Sequence, residues 1–176
     1  MKSQIVLSGV GGQGLISTGE IIGQAASIYE NLNATLTSSY GSETRGTFTK
    51  SDVIISDRMI SYPNVENPDI ILCLAQVAYD QYVSRFLDGT RVFYDSEAVR
   101  KEPRARGEHF GRPFRSMGIE LGDVQASNTV ALGLILKKTG ILRCESVLSA
   151  IASRFEGKRK AIELNEKALD CGLSLD

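Results

Sequence analysis

The sequence predicts an α/β chain folded as a three-layer sandwich around a mostly parallel sheet. Three observations lead there. Short β-rich apolar segments alternate with segments of helical periodicity. The first such pair is joined by the glycine-dense turn Gly9-Val10-Gly11-Gly12-Gln13-Gly14. Further on, Ile70-Ile71-Leu72-Cys73-Leu74 is a continuous apolar run, as a central strand buried on both faces requires.

The elements follow in order. Gln4 to Leu7 reads as a strand. Leu15, Ile16, Ile21, Ile22, Ala25, Ala26 and Tyr29 then recur on one helical face, so a helix is expected from Leu15 to about Glu30. Asn33 to Ser38 reads as a second strand, giving a unit of βαβ length. Residues 39–46 read as a loop and Thr47 to Ser56 as a β-branched strand. Tyr62-Pro63 and Asn67-Pro68 punctuate the connection to the apolar run. A helix from Gln76 to Phe86, stopped at Asp88-Gly89, precedes a short strand at Arg91 to Tyr94.

Residues 97–115 break the alternation and read as a hairpin or a long surface excursion. Arg100, Lys101, Arg104, Arg106, Arg112 and Arg115 stand here against Glu97, Glu102 and Glu108; such a charge run reads first as solvated surface, and otherwise as a surface for acidic phosphates or an acidic partner. Three helices are expected after it, Asp123 to Lys138, Glu145 to Phe155 and Arg159 to Leu169, with Gly140 and Gly172 as C-terminal stops. No repeat, linker or low-complexity tract divides the chain, so residues 1–176 read as one domain.

Composition narrows the function classes. At 176 residues the chain buries roughly 70% of its unfolded surface, enough for a core without disulfides or metals. A net charge of −1 offers no global attraction to nucleic acid or an anionic membrane. Cys73, Cys144 and Cys171 are scattered, which argues against a metal or iron–sulfur centre on this chain and suits a reducing cytoplasm. Neither a signal-peptide h-region nor a transmembrane run is apparent. The one histidine, His109, has no visible partner and reads as an ordinary surface or loop residue.

The chemistry concentrates in the glycine turn. Glycines let backbone approach a ligand closely, and a helix start just beyond presents free N–H groups to an anion. Gly9, Gly11 and Gly14 also fit the spacing of the dinucleotide fingerprint. That fingerprint needs an acid at the end of the second strand for the ribose hydroxyls, and here the strand ends Leu36-Thr37-Ser38-Ser39. Tight packing of helix on strand, or a turn abutted by another subunit, accounts for the glycines equally well.

Three segments together resemble the gamma subunit of 2-oxoacid:ferredoxin (acceptor) oxidoreductases. They are Gly9-Val10-Gly11-Gly12-Gln13-Gly14, Ser39-Tyr40-Gly41-Ser42-Glu43-Thr44-Arg45-Gly46 and Asn128-Thr129-Val130-Ala131-Leu132-Gly133, and Pro68-Asp69-Ile70-Ile71 is similar as well. Thr47 stands where the family has a second glycine after the arginine. Val10 before Gly11 looks more like the 2-oxoglutarate branch than the pyruvate branch.

The resemblance implies a Rossmann-like domain within a cytoplasmic, multisubunit enzyme that oxidatively decarboxylates a 2-oxoacid to an acyl-CoA and reduces ferredoxin or a similar acceptor. It implies thiamine diphosphate and magnesium on alpha and beta subunits, and iron–sulfur clusters on other chains such as a ferredoxin-like delta subunit. On this chain it implies coenzyme A binding and assembly, with no catalytic residue. The candidate contacts are Gly9, Gly11, Gly12, Gln13 and Gly14 in the turn, Tyr40, Gly41, Glu43, Arg45 and Gly46 in the next loop, and Asn128 on a later helix. Each has a plainer reading. Gln13 and Asn128 can bond to nearby backbone, and Arg45 can pair with Glu43 or with a companion subunit. A free-standing NAD(P)-dependent oxidoreductase and a scaffold without a ligand site remain the rival functions.

Overall fold

The computed structural model describes residues 1–40 and 47–176. The strands are β1 (Lys2–Val10), β2 (Asn33–Tyr40), β3 (Phe48–Ser56), β4 (Ile70–Cys73), β5 (Arg91–Asp95) and β6 (Glu108–Arg112). The helices are α1 (Leu15–Gln24), α2 (Gln76–Tyr82), α3 (Phe114–Leu121), α4 (Ser127–Thr139), α5 (Cys144–Arg154) and α6 (Arg159–Ser174). They build one six-stranded sheet in the order β2-β3-β1-β4-β5-β6. The pairs β1–β4, β4–β5 and β5–β6 are parallel, and β3 runs antiparallel to both β1 and β2.

Alternation along the strands makes the layers. Ile5, Leu7, Ile70, Leu72 and Phe93 point to the face covered by α1 and α4, whereas Val6, Ile71, Cys73 and Val92 point to the face covered by α2. β4 is therefore buried on both sides, as its unbroken apolar run requires. α4 is buried almost all round. It lies against α6 where Gly133 meets Gly172, and a Cβ on Gly172 would sit 2.8 Å from the Gly133 Cα. Gly172 is thus a packing residue inside α6, which runs on to Ser174, and not the stop expected from sequence. Gly140 does end α4, in the left-handed region with its N–H on Leu136 O.

Three further expectations change. The helix after the glycine turn reaches Tyr29, but its last stretch, Ala25–Tyr29, is a π turn closed by Asn31 at φ 54°. β1 and β2 are parallel, yet β3 is inserted between them. Residues 97–115 are neither a hairpin nor a simple excursion. Val99 and Ala105 cross the α2 face, then β6 joins β5 in parallel and α3 begins. No helix among the described residues is long and apolar enough to cross a membrane.

This topology locates a crevice. From β1 the chain turns to α1 on one face, and from β4 it turns to α2 on the other. Between the carboxyl ends of two such parallel neighbours, open α/β sheets leave a gap where ligands bind.

Candidate functional site

The glycine turn stands over that gap. Gly12 (φ 90°) and Gly14 (φ 72°) take left-handed backbone that only glycine adopts at little cost. α1 starts at Leu15 with Gly14 as its N-cap and no side-chain cap. The first intrahelical bond runs from Thr18 N–H to Gly14 O at 3.1 Å, so the amides before it lack an i−4 partner within the helix.

Three side-chain amides clamp the turn. Gln13 accepts from Val10 N–H at 2.8 Å and donates across the gap to Leu74 O at 3.1 Å. Gln125 donates to Gly12 O at 2.8 Å, and Asn128 donates to Gln13 O at 2.9 Å. The Thr18 hydroxyl bonds Gly14 O as well, at 3.1 Å. Every carbonyl from Gly12 to Gly14 is thus tied back to the protein. In a trans peptide the N–H points opposite the C=O, so the amides of Gly14 and Leu15 face away from the clamp. The arrangement turns acceptors inward and donors outward, as an anion requires. Gly11 differs, because its N–H is taken by Thr47 O at 3.1 Å.

Two clefts and an open groove flank the turn. A cleft of about 90 Å³ on the β4–β5 side is lined by Gly12, Gln13, Leu74, Asp95, Arg115 and Gln125, among others. A second, of about 260 Å³, lies between the start of α1 and the α4–α6 region, with Gly14, Ser17, Thr18, Asn128, Thr129 and Asn165 in its wall. An open groove of about 320 Å³ follows the outer side of residues 10–17.

Asp95 shapes the first cleft. It is buried at the end of β5, and its carboxylate accepts N–H bonds from Glu97 (2.9 Å), Ala98 (3.0 Å) and Arg115 (2.7 Å). The last of these fixes the first turn of α3 and so places the Arg115 side chain at the cleft. That side chain is exposed and makes no ion pair among the described residues.

The arrangement disfavours a dinucleotide. The strand beside β1 on that side is β3, which presents Phe48 and Thr49 at the turn and no acid. Nor do three His, Cys, Asp or Glu side chains come together as a metal site among the described residues.

Residues 4–175 match the family described as Pyruvate ferredoxin/flavodoxin oxidoreductase. The chain belongs to that family. The 2-oxoglutarate synthase subunit KorC of Methanocaldococcus jannaschii is 42% identical over 154 residues, covering 86% of this chain and 82% of the relative. A crystal structure of a keto/oxoacid ferredoxin oxidoreductase gamma subunit from Geobacter sulfurreducens is 35% identical with a TM-score of 0.83, covering 97% of this chain and 95% of that one. The present chain is a gamma-type subunit of a 2-oxoacid:ferredoxin oxidoreductase. Its fold also occurs in the 2-oxoglutarate:ferredoxin oxidoreductase of Magnetococcus marinus, at 22% identity and a TM-score of 0.87, over 98% of this chain and 30% of that one.

The gamma subunit brings together Gly9, Gly11, Gly12, Gln13, Gly14 and Asn128 of the residues singled out from sequence. Gln13 and Asn128 bond to backbone there, and Gly9 leaves room for the Gln13 carboxamide. Tyr40 closes β2 opposite Thr49, at the same sheet edge as the turn. Gly41, Glu43, Arg45 and Gly46 lie outside the described residues. Asp95 and Gln125 were missed, and Arg115 was named only within the basic run that reads first as solvated surface. An acid ending a strand, Tyr94-Asp95, was the available signal for the first. His109 is no ordinary loop residue. It sits on β6 among Tyr79, Phe86 and Tyr94, with Nδ1 on Gly107 O (3.1 Å) and Nε2 on the Tyr79 hydroxyl (3.0 Å).

Proposed function

We propose that this gamma subunit serves in an enzyme that converts 2-oxoglutarate to succinyl-CoA, and that its glycine turn holds a phosphate of coenzyme A. The observation that carries the reading is the set of outward amides at Gly14 and Leu15 on the open groove; Gly12 lines both that groove and the neighbouring cleft, which holds the Arg115 side chain, free of ion pairs among the described residues. A helix N-terminus alone contributes about 0.3–1 kcal/mol to an exposed anion. A charge-assisted bond from arginine adds about 1.5–3 kcal/mol. Gly12, where a Cβ would meet open space, leaves the approach to the turn clear.

The substrate assignment rests on the KorC relatives, named as subunits of 2-oxoglutarate synthase. The Magnetococcus enzyme, which shares the fold, was solved with 2-oxoglutarate, coenzyme A and succinyl-CoA bound. Thiamine diphosphate, magnesium and iron–sulfur clusters then belong to alpha, beta and delta companions, and ferredoxin takes the electrons. The cytoplasm is the compartment that fits three free thiols.

Arg115→Gln in the assembled enzyme tests the site. The KM for coenzyme A should rise about ten- to a hundredfold, the equivalent of one charge-assisted bond, with the KM for the 2-oxoacid unchanged. An unaltered KM for coenzyme A rejects the site.

A further inference from the structure

Behind the glycine turn, a pair of carboxamides shares a single hydroxyl. Thr129 Oγ1 lies 3.1 Å from Asn128 Oδ1 and 2.6 Å from Asn165 Oδ1. Neither amide can be turned to supply a proton instead. Asn128 Nδ2 donates to Gln13 O at 2.9 Å, and Asn165 Nδ2 donates to Ala161 O at 2.8 Å. Both partners are backbone carbonyls, which only accept, so flipping either side chain would set oxygen against oxygen. A threonine hydroxyl carries one proton. The shorter contact takes it, and Asn128 Oδ1 is left without a donor of its own among the described residues.

The shortfall lies at a cleft. Asn128, Thr129 and Asn165 all stand in the wall of the cleft between α1 and the α4–α6 region, although Asn128 is only 7% exposed and Thr129 2%. An oxygen buried without a donor is costly, so this place favours a group that brings an N–H or O–H. At about 260 Å³ the cleft has room for far more than the one water that would meet the need. Ile21, Phe155, Ala161 and Leu164 give the rest of the wall an apolar surface, and its one charged residue is Asp123. No cation stands in that wall, so it disfavours a phosphate and suits an uncharged, largely alkyl group with hydrogen donors. Gly14 and Ser17 line both this cleft and the open groove along residues 10–17, so the cleft continues from the outward amides of the turn.

We infer, resting on the coenzyme A reading of the glycine turn, that this cleft takes the pantetheine arm. The arm leaves the diphosphate as an uncharged chain of alkyl carbons that carries a hydroxyl and secondary amides. With the phosphate at Gly14 and Leu15, the arm passes Ser17 into the cleft. One of its donors supplies Asn128 Oδ1, and its alkyl carbons meet Phe155 and Leu164. Asn128 then does more than clamp the turn. One end of its amide holds Gln13 O and the other selects a ligand that can donate.

Calorimetry on the assembled enzyme tests this, with coenzyme A and with its nucleotide half, which lacks the arm. Asn165→Leu leaves the Thr129 proton to Asn128 Oδ1 and so removes the shortfall. Ala161→Phe fills the cleft and removes no polar group. Affinity for coenzyme A should fall about three- to tenfold in the first variant, one neutral hydrogen bond expressed as a ratio. It should fall at least as far in the second, with the nucleotide half bound as in the parent. Arg115→Gln should weaken both ligands. If it does and neither cleft variant weakens coenzyme A, the arm lies elsewhere and the inference is overturned, while the reading of the turn stands. Cleft variants that weaken both ligands alike overturn it too, because the change then acts through the turn. Loss of coenzyme A affinity in the cleft variants, with none in Arg115→Gln, keeps the arm in the cleft and rejects the phosphate site.

Discussion

Gln13 shows how a single side chain serves both the fold and the site. Its carboxamide bridges the end of β1 to the end of β4 and occupies the floor of the gap where a ligand would otherwise sink. In the proposed site, ligand atoms are thereby kept to the outward amides. Gly14 carries a different constraint, because a Cβ there would collide with the Asn128 amide that clamps Gln13 O. Gly14→Ala therefore combines left-handed strain of about 1–2 kcal/mol with loss of a clamp worth about 1 kcal/mol. We expect urea unfolding to report a loss of about 2–3 kcal/mol, the sum of those two effects. Gly12→Ala, at φ 90° in open space, should cost only the strain. Equal losses at the two positions would mean that the Asn128 clamp contributes nothing.

Edge elements set the pH response. β6 is anchored through His109, whose Nε2 accepts from the Tyr79 hydroxyl, itself an acceptor for Glu102 N–H at 3.2 Å. Burial among aromatic rings, with Lys101 adding to it, holds the His109 pKa below its usual value near 6.5. The unfolded chain thus takes up this proton first as pH falls. The stability that neutral His109 contributes is complete above about 6.5 and is lost as pH falls through the lower native value. The urea midpoint of the parent should drop more between pH 7.5 and 5.5 than that of His109→Gln, and parallel curves would deny His109 any part in the drop. The same strand marks where the sequence stopped being legible. β4 could be read because its apolar run states that both faces are buried. Glu108 to Arg112 alternates charge with aromatics, and its place in the sheet comes from pairing with β5, a tertiary fact with no local pattern. The insertion of β3 beside β1 is likewise set by packing across the sheet. Gly172 misled because a glycine late in a helix reads as a stop, whereas its task here is contact with Gly133. In the site, the turn and Asn128 were legible from their residue types. Arg115 was hidden within a basic run and is singled out only by the Asp95 carboxylate that fixes its backbone.

At the scale of the whole molecule, the sheet divides two cores, and Cys73 reports on the smaller. The thiol is fully buried beneath α2, 3.7 Å from the Ser8 hydroxyl, and burial pushes its pKa up to about 12. Cys144 and Cys171 are only partly buried. A thiol reagent should therefore modify two cysteines quickly, and the third only through openings that expose the core. Since β4 lies at the centre of the sheet, such an opening is close to global unfolding. The Gly133–Gly172 crossing, in the other core, supplies the test. Gly133→Ala drives a Cβ to 2.9 Å from the Gly172 Cα, and helix backbones cannot yield by rotamer change, so about 1–3 kcal/mol should be lost. If the two cores unfold as one cooperative unit, Cys73 labelling speeds up by roughly five- to a hundredfold, the same free energy expressed as a ratio. If labelling stays at the parent rate while the urea midpoint falls, the α2 face opens independently. The covering of the β4–β5 side of the cleft proposed for coenzyme A would then be a separate, looser unit.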